Sequence, residues 1–234
     1  LLLALILSFS RAAWISVAIA IVVYIVVLLK IKFRWLFLGF TGLLVIFFSF
    51  QFEILDKLEK NTQDSSGDLV EHLRSISNIS SDASNLERIN RWQSAIRMFH
   101  ERPVLGWGPG TYQFQYAPFQ RMKEKTIIST NAGDMGNAHS EFIGPLAESG
   151  VLGMISMLLI VIIAIYYGLK IHKHARSKKI RQTALITLLA LITYFVHGLL
   201  NNFLDTDKAS VPVWAFFAII LALDVYHMQE VDTP

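Results

Sequence analysis

Apolar runs long enough to cross a bilayer, joined by short connections rich in positive charge, constrain this chain more than any other feature. A spanning helix needs about 20 mainly apolar residues at 1.5 Å each. Residues 12–29, 35–52, 143–169 and 183–200 meet that need, and 211–226 is a little shorter but unbroken until Asp224. Residues 1–10 read as the tail of a further span, because the chain opens inside an apolar run. The expected fold class is an all-α polytopic membrane protein with about five to six transmembrane helices. Charged residues make up 17% of the chain, against about 25% in ordinary globular proteins, which argues against a soluble enzyme. No basic leader with a small-residue cleavage site is present, so the chain reads as an internal or C-terminal part of a larger integral membrane protein. It contains no cysteine, which excludes disulfides, thiolate zinc sites and cysteine nucleophiles from these residues.

Charge placement then orients the spans. Lys30, Lys32 and Arg34 lie between two runs with no acid nearby; Lys170, Lys173, Arg176, Lys178, Lys179 and Arg181 lie between two others, again without an acid. These two connections hold nine of the 21 Lys and Arg residues, and the positive-inside rule makes both cytoplasmic. Segment 51–142 carries 12 acids and 10 bases, a net of −2, and is expected on the opposite side. Both basic connections give the same sidedness when the spans are counted. The formal charge of +3 and pI near 9.1 are thus an orientation signal, and no nucleic-acid partner is expected. The chain divides into 1–52, transmembrane with its first helix truncated; 53–142, a large, partly helical periplasmic loop; and 143–234, three C-terminal transmembrane helices.

The loop is long for a connection. Its first part, through Asn61–Asp68 and residues 75–84, is polar and expected to be irregular. Ser84-Asn85-Leu86-Glu87 reads as a capping box, in which Ser84 caps a helix and Glu87 reaches back. Leu86, Ile89, Ile96 and Phe99 recur near the helical period as its apolar stripe. Pro103 ends the helix, and Gly106, Gly108, Pro109 and Gly110 demand a tight turn. So small an element cannot hold a core alone and is expected to lie against the membrane helices.

Several residues in this frame can carry chemistry. His139 stands four residues before a span, and an imidazole of ordinary pKa near 6.5 accepts a proton at neutral pH; the plainer reading is a capping or interfacial histidine. Arg11 interrupts apolar sequence. An arginine at mid-membrane costs roughly 2.5–3.5 kcal/mol, so it sits at an edge or faces a cavity. Counting from Lys30 places it about 28 Å away, near the outer interface. It reads either as a snorkelling anchor beside Trp14 or as a phosphate clamp, since guanidinium matches phosphate oxygens with a planar fork. Arg88 and Arg91, three apart, share a helix face; these and Arg97 read as solvated or as anion-binding. Glu141 and Glu148 are seven apart and resemble a carboxylate pair, but with His139 they match no compact metal signature, and no metal or other cofactor is expected. The turn from Asn201 to Lys208 reads as a polar cap or weakly as a site wall, with His197 a lesser site candidate. His172 and His174 read as structural.

In their order these motifs resemble the C-terminal half of the O-antigen ligase and O-antigen polymerase superfamily, bacterial inner-membrane enzymes acting on glycans carried by undecaprenyl diphosphate. The resemblance rests on Ser10-Arg11-Ala12-Ala13; on Arg88 four residues before Trp92; on the turn from Arg102-Pro103-Val104-Leu105-Gly106 through Trp107-Gly108-Pro109-Gly110-Thr111-Tyr112; and on His139-Ser140 with Gly150 in register. Ile143 stands where the family pattern has Leu. The match covers about residues 5–155. It implies that His139 is a catalytic general base, that Arg11, Arg88 and, less firmly, Arg91 hold the diphosphate, and that Ser140, Glu141 and Trp92 form site walls. It also implies a metal- and nucleotide-independent, inverting transfer from an undecaprenyl-diphosphate-linked glycan at the periplasmic face. The acceptor is lipid A–core for a ligase, the growing glycan for a polymerase, or a protein in a third variant. Outside this class, a transporter would show broken or charged helices near mid-membrane, and an assembly scaffold would keep Arg11, Arg88 and His139 far apart.

Overall fold

The computed structural model describes residues 2–7, 10–32, 34, 35, 38, 41, 83–127, 129, 130 and 136–227. The described residues are helical and contain no strand. They form α1 (Leu2–Leu7), α2 (Arg11–Leu28), α3 (Ala83–Glu101), a one-turn α4 (Tyr112–Gln115), two 3₁₀ turns (Ala117–Phe119 and Met122–Glu124), α5 (Ile143–His174), α6 (Lys178–Gly198) and α7 (Asp207–His227). The expected span at 35–52 and the expected irregular stretch before residue 83 lie largely outside the described residues.

Helices α5, α6 and α7 are long and apolar enough to cross a membrane, and α2 is a shorter apolar helix. Ser10 caps α2, its hydroxyl accepting from the Ala13 amide at 3.4 Å. At the other end Lys30 is left-handed (φ 53°), and the amides of Lys30 and Ile31 donate to the carbonyls of Val27 and Val26. That is a Schellman stop with lysine where glycine is usual. Apolar side chains cover the outside of these helices: Val22 and Leu28 on α2, Ile162 and Tyr166 on α5, Val211 and Leu221 on α7 are all more than half exposed. Such surface suits lipid rather than water. Inside, Ala164, Ile171, Ala184, Leu191, Val213 and Ile220 pack one core between α5, α6 and α7.

The last turns of α2 adjoin the first turns of α6, where Leu28 and Lys178 line one cavity. The two basic connections therefore lie at the same end of the bundle. Asp224 on α7 meets Lys170 there, Nζ to Oδ1 2.9 Å. One of the six clustered cations thus has a carboxylate partner from another helix, which the local sequence does not show.

Two expectations are corrected and one is refined. Residues 143–169 fall within α5, which is apolar and long enough to cross a membrane, but Gly150 (φ 65°, ψ −157°) kinks it seven residues in. The stretch from Val151 to His174 still reaches about 36 Å at 1.5 Å per residue. The capping box is not formed: α3 already includes Ala83, and the Glu87 carboxylate turns to Arg91, Thr126 and Ser129. The apolar stripe of α3 is not its buried face. Leu86 and Ile89 are exposed, whereas Glu87, Asn90, Arg91, Ser94, Ala95 and Met98 are buried. The segment packed on that face presents hydroxyls and amides, so polar residues of α3 turn inward to satisfy them.

Candidate functional site

The loop is built around α3 and docks on the first turns of α5. Met98, Ala95, Tyr112 and Tyr116 form a small core with Ala138 and Ala147, and the Tyr112 and Tyr116 rings stack at 5.1 Å. The loop thus completes its core with α5, as its size demanded. The glycine-rich turn after Pro103 is the joint. The amides of Trp107 and Gly108 donate to the carbonyls of Ala147 and Glu148, and the Val151 amide donates to the Pro103 carbonyl. The Glu148 carboxylate accepts from the amides of Gly110 and Tyr112, each at 2.9 Å. Side chains are barred where the two backbones meet: a Cβ on Gly106 would fall on the Glu148 backbone, and one on Gly150 would fall on the Val104 carbonyl. Both glycines have positive φ, which L side chains rarely adopt.

A second joint fixes His139. Its backbone is left-handed (φ 48°), held by its amide donating to Asn137 Oδ1 at 3.1 Å. Its carbonyl accepts from the Trp92 indole at 3.4 Å. Ser140 is buried, and its hydroxyl accepts from the amides of Phe142 and Ile143 at 3.3 Å each, holding the turn that leads into α5. Glu141 is buried, and its Oε1 accepts from the Phe203 amide at 2.6 Å, the Leu204 amide at 2.9 Å and the Tyr194 hydroxyl. Its own amide donates to the Gly198 carbonyl at 2.8 Å. The segment carrying His139 is therefore stapled to α3 on one side and to the α6–α7 turn on the other. Ser140, Glu141 and Trp92 hold His139's backbone rather than merely lining a wall.

Electrostatics place the arginines. Burial first, then the charges of Arg91 and Arg88, push the His139 imidazole down to about 4, against an opposing pull from Glu87. Arg88 also acts on His197, whose ring stacks on Phe203 at 5.3 Å and whose Nε2 lies 3.3 Å from Asn201 Nδ2. Arg88, Trp92, His139, His197 and Asn201 thus gather at one end of the bundle, opposite the basic connections. Arg91 behaves differently. It is buried, its Nε donates to Glu87 at 2.8 Å, its Nη1 donates to the Asn137 carbonyl at 3.2 Å, and it lies over the Tyr116 ring at 5.1 Å. Burial raises the Glu87 carboxyl, but bonds from Ser129, Arg91 and Thr126 and the Arg91 charge outweigh it, so Glu87 ends below its ordinary value. Arg97 is taken up by Glu124. Arg11 begins α2, whose antiparallel course along α6 puts its backbone at the His139 end; its side chain lies outside the described residues.

Glu141 and Glu148 do not form a pair, since each is consumed by backbone amides of a different connection. Among the described residues no three His, Asp or Glu side chains converge as a metal set. Beside the α6–α7 turn, Phe203, Thr206, Asp207 and Lys208 line a cavity of about 570 Å³. The ion pair of Glu87 with Arg91 and the part played by Tyr194 were not read from the sequence. A usable signal existed for the latter: Tyr194 lies three residues before His197, on the same face of α6.

The fold and this site define a polytopic, all-helical membrane protein whose partly helical loop folds back onto the end of its bundle. Residues 1–158 match the family model described as O-antigen ligase, and the chain belongs to that family. Its members are membrane glycosyltransferase-like proteins of the ligase and polymerase type. No curated protein and no solved structure matches the chain.

Proposed function

We propose that the chain is part of an O-antigen ligase that moves a glycan from undecaprenyl diphosphate to a hydroxyl of lipid A–core. The reaction takes place at the periplasmic face of the bacterial inner membrane, with 53–142 as the periplasmic part. The observation that carries this reading is the convergence on His139. An unprotonated imidazole lies within the field of Arg88 and Arg91, on a segment clamped from both sides.

The chemistry follows from charge. The acceptor hydroxyl gives its proton to His139 as its oxygen bonds to the anomeric carbon. The bond from that carbon to the phosphate oxygen breaks, and its electron pair leaves with the carrier diphosphate. In-line attack inverts the anomeric centre. The leaving group is already activated, so no nucleotide is spent. Arg88, with Arg11, neutralises the growing charge on the diphosphate, an effect worth several kcal/mol in a water-poor site. Burial is the main cause of the low imidazole and the two arginines add to it; a bound diphosphate offsets the arginines' part and so raises His139's basicity. Arg91, with Nε on Glu87 and Nη1 on Asn137, fits a positioning part better than direct contact with the donor.

Transfer by the purified full-length protein tests this reading. His139→Ala is expected to lower the rate by about 10²–10⁴ with donor binding retained. Transfer at the wild-type rate would overturn it. In cells the same variant should accumulate carrier-linked chains that never reach the surface lipid.

A further inference from the structure

At the end of the bundle away from His139, α2, α5 and α6 leave a cavity of about 450 Å³. Its wall has two chemistries. His172, Lys178 and Arg181 supply cationic or protonatable groups, whereas Leu28, Leu185 and Ile186 supply an apolar side. No acid lines it among the described residues. The nearby carboxylate of Asp224 is engaged by Lys170, and no carboxylate partner is shown for Lys178 or Arg181 among the described residues. His172 is held in place by Nδ1 against the Arg181 carbonyl at 3.0 Å. Leu28 and Ile186 are more than half exposed, so the apolar wall is open to the lipid beside it. Water alone would not be a good occupant, because half the lining offers it no hydrogen bond.

We propose that this cavity binds one anionic phospholipid. Its phosphate sits among Lys178, Arg181 and His172, and the first methylenes of an acyl chain lie along Leu28 and Ile186. Charge complementarity and the apolar wall select this occupant together. A free phosphate would satisfy the cations and leave the wall unused, whereas a zwitterionic lipid would bring its own cation into a site already positive. The consequence is a lipid wedged where α2 meets α6, which ties the first described span to the C-terminal three. Nothing in the proposed transfer depends on it.

Native mass spectrometry of the full-length protein, after exchange into mixed phosphatidylglycerol and phosphatidylcholine micelles, tests the site. The wild type is expected to retain one phosphatidylglycerol in preference to phosphatidylcholine. K178Q/R181Q should weaken that retention about fivefold or more, since each cation near an anionic headgroup contributes about a fivefold factor. R176Q/K179Q, which removes the same charge from residues outside the lining, should retain the lipid. I186W, which leaves every charge and fills the apolar side, should also weaken retention. Equal loss from both double variants, or full retention by I186W, would show a diffuse surface field and overturn the site. Displacement of the lipid by inorganic phosphate alone would overturn the part given to the acyl chain. The thermal midpoint of each variant without added lipid separates these outcomes from misfolding.

Discussion

His139 adopts a backbone conformation that non-glycine residues pay about 1–2 kcal/mol to enter, yet its amide, its carbonyl and the next two residues are all held by named partners. His139→Gly is therefore expected to unfold at a higher temperature than His139→Ala, while neither transfers glycan. Thermal unfolding alongside the transfer assay checks this, and equal midpoints would show that the backbone is not strained. The depressed imidazole gives a second expectation. His139 is unprotonated above about 4, so kcat/KM should show no histidine limb near pH 6.5 as pH falls. Stability follows the same sign: an unfolded imidazole takes up its proton first, so His139's contribution declines as pH drops from about 6.5 towards 4. Arg88→Gln removes one of the two cations that hold it down, and the acid limb of the residual activity should move upward. A limb that stays in place would remove Arg88 from the field at His139. At this scale His139 was a candidate from its place four residues before a span, Arg88 from the arginine-bearing face of α3, and Trp92 from the family resemblance alone. The split between Arg88 and Arg91 was not. Glu87 lies one turn before Arg91 on the same face, a spacing that permits an ion pair without requiring one. The groups that close over the pair, Tyr116, Thr126, Ser129 and the Asn137 carbonyl, lie far along the chain.

Between elements, the two glycine features of the sequence turn out to serve one contact. The turn at Gly106–Gly110 reads locally as a tight bend, and Gly150 reads as a residue of the family pattern within a span. Only the fold shows that Gly106 lies on the Glu148 backbone and Gly150 lies on the Val104 carbonyl. Gly150→Ala is expected to cost at least about 2 kcal/mol, combining backbone strain with overpacking against an immovable carbonyl. The docked loop should then open more often. Limited trypsin digestion after Arg121, an exposed loop residue followed by Met122, should be faster than in the wild type, with the helical content of the membrane spans unchanged. A digestion rate equal to the wild type's would mean that the joint does not hold the loop. The same scale explains the misread face of α3. Apolar periodicity finds the buried face of a helix packed on an apolar partner. The partners here are Gln120, Thr126 and Ser129, so Glu87 and Asn90 turn inward to their amide and hydroxyls and Leu86 and Ile89 remain outside.

For the whole molecule, the run lengths and the basic clusters carried nearly all of the architecture, because a bilayer forces backbone satisfaction within each helix and charge asymmetry across it. The bundle agrees with that charge pattern independently: the connections after α2 and α5 meet at one end, and the His139 segment meets the α6–α7 turn at the other. Absolute sidedness follows if the basic end is cytoplasmic. The absence of native cysteine in these residues makes this directly measurable. Single cysteines at Ser177, between α5 and α6, and at Thr206, before α7, change exposed or connection residues and leave the staples at Glu141 intact. In intact cells with a permeable outer membrane, a membrane-impermeant maleimide should label Thr206→Cys and spare Ser177→Cys, and lysis should expose both. The reverse pattern would put His139 on the cytoplasmic face, where a lipid-linked donor awaiting transfer to lipid A–core would not meet it. Labelling of both sites before lysis would mean that α6 does not cross the membrane, which would remove the shared frame of the site and the lipid cavity at once.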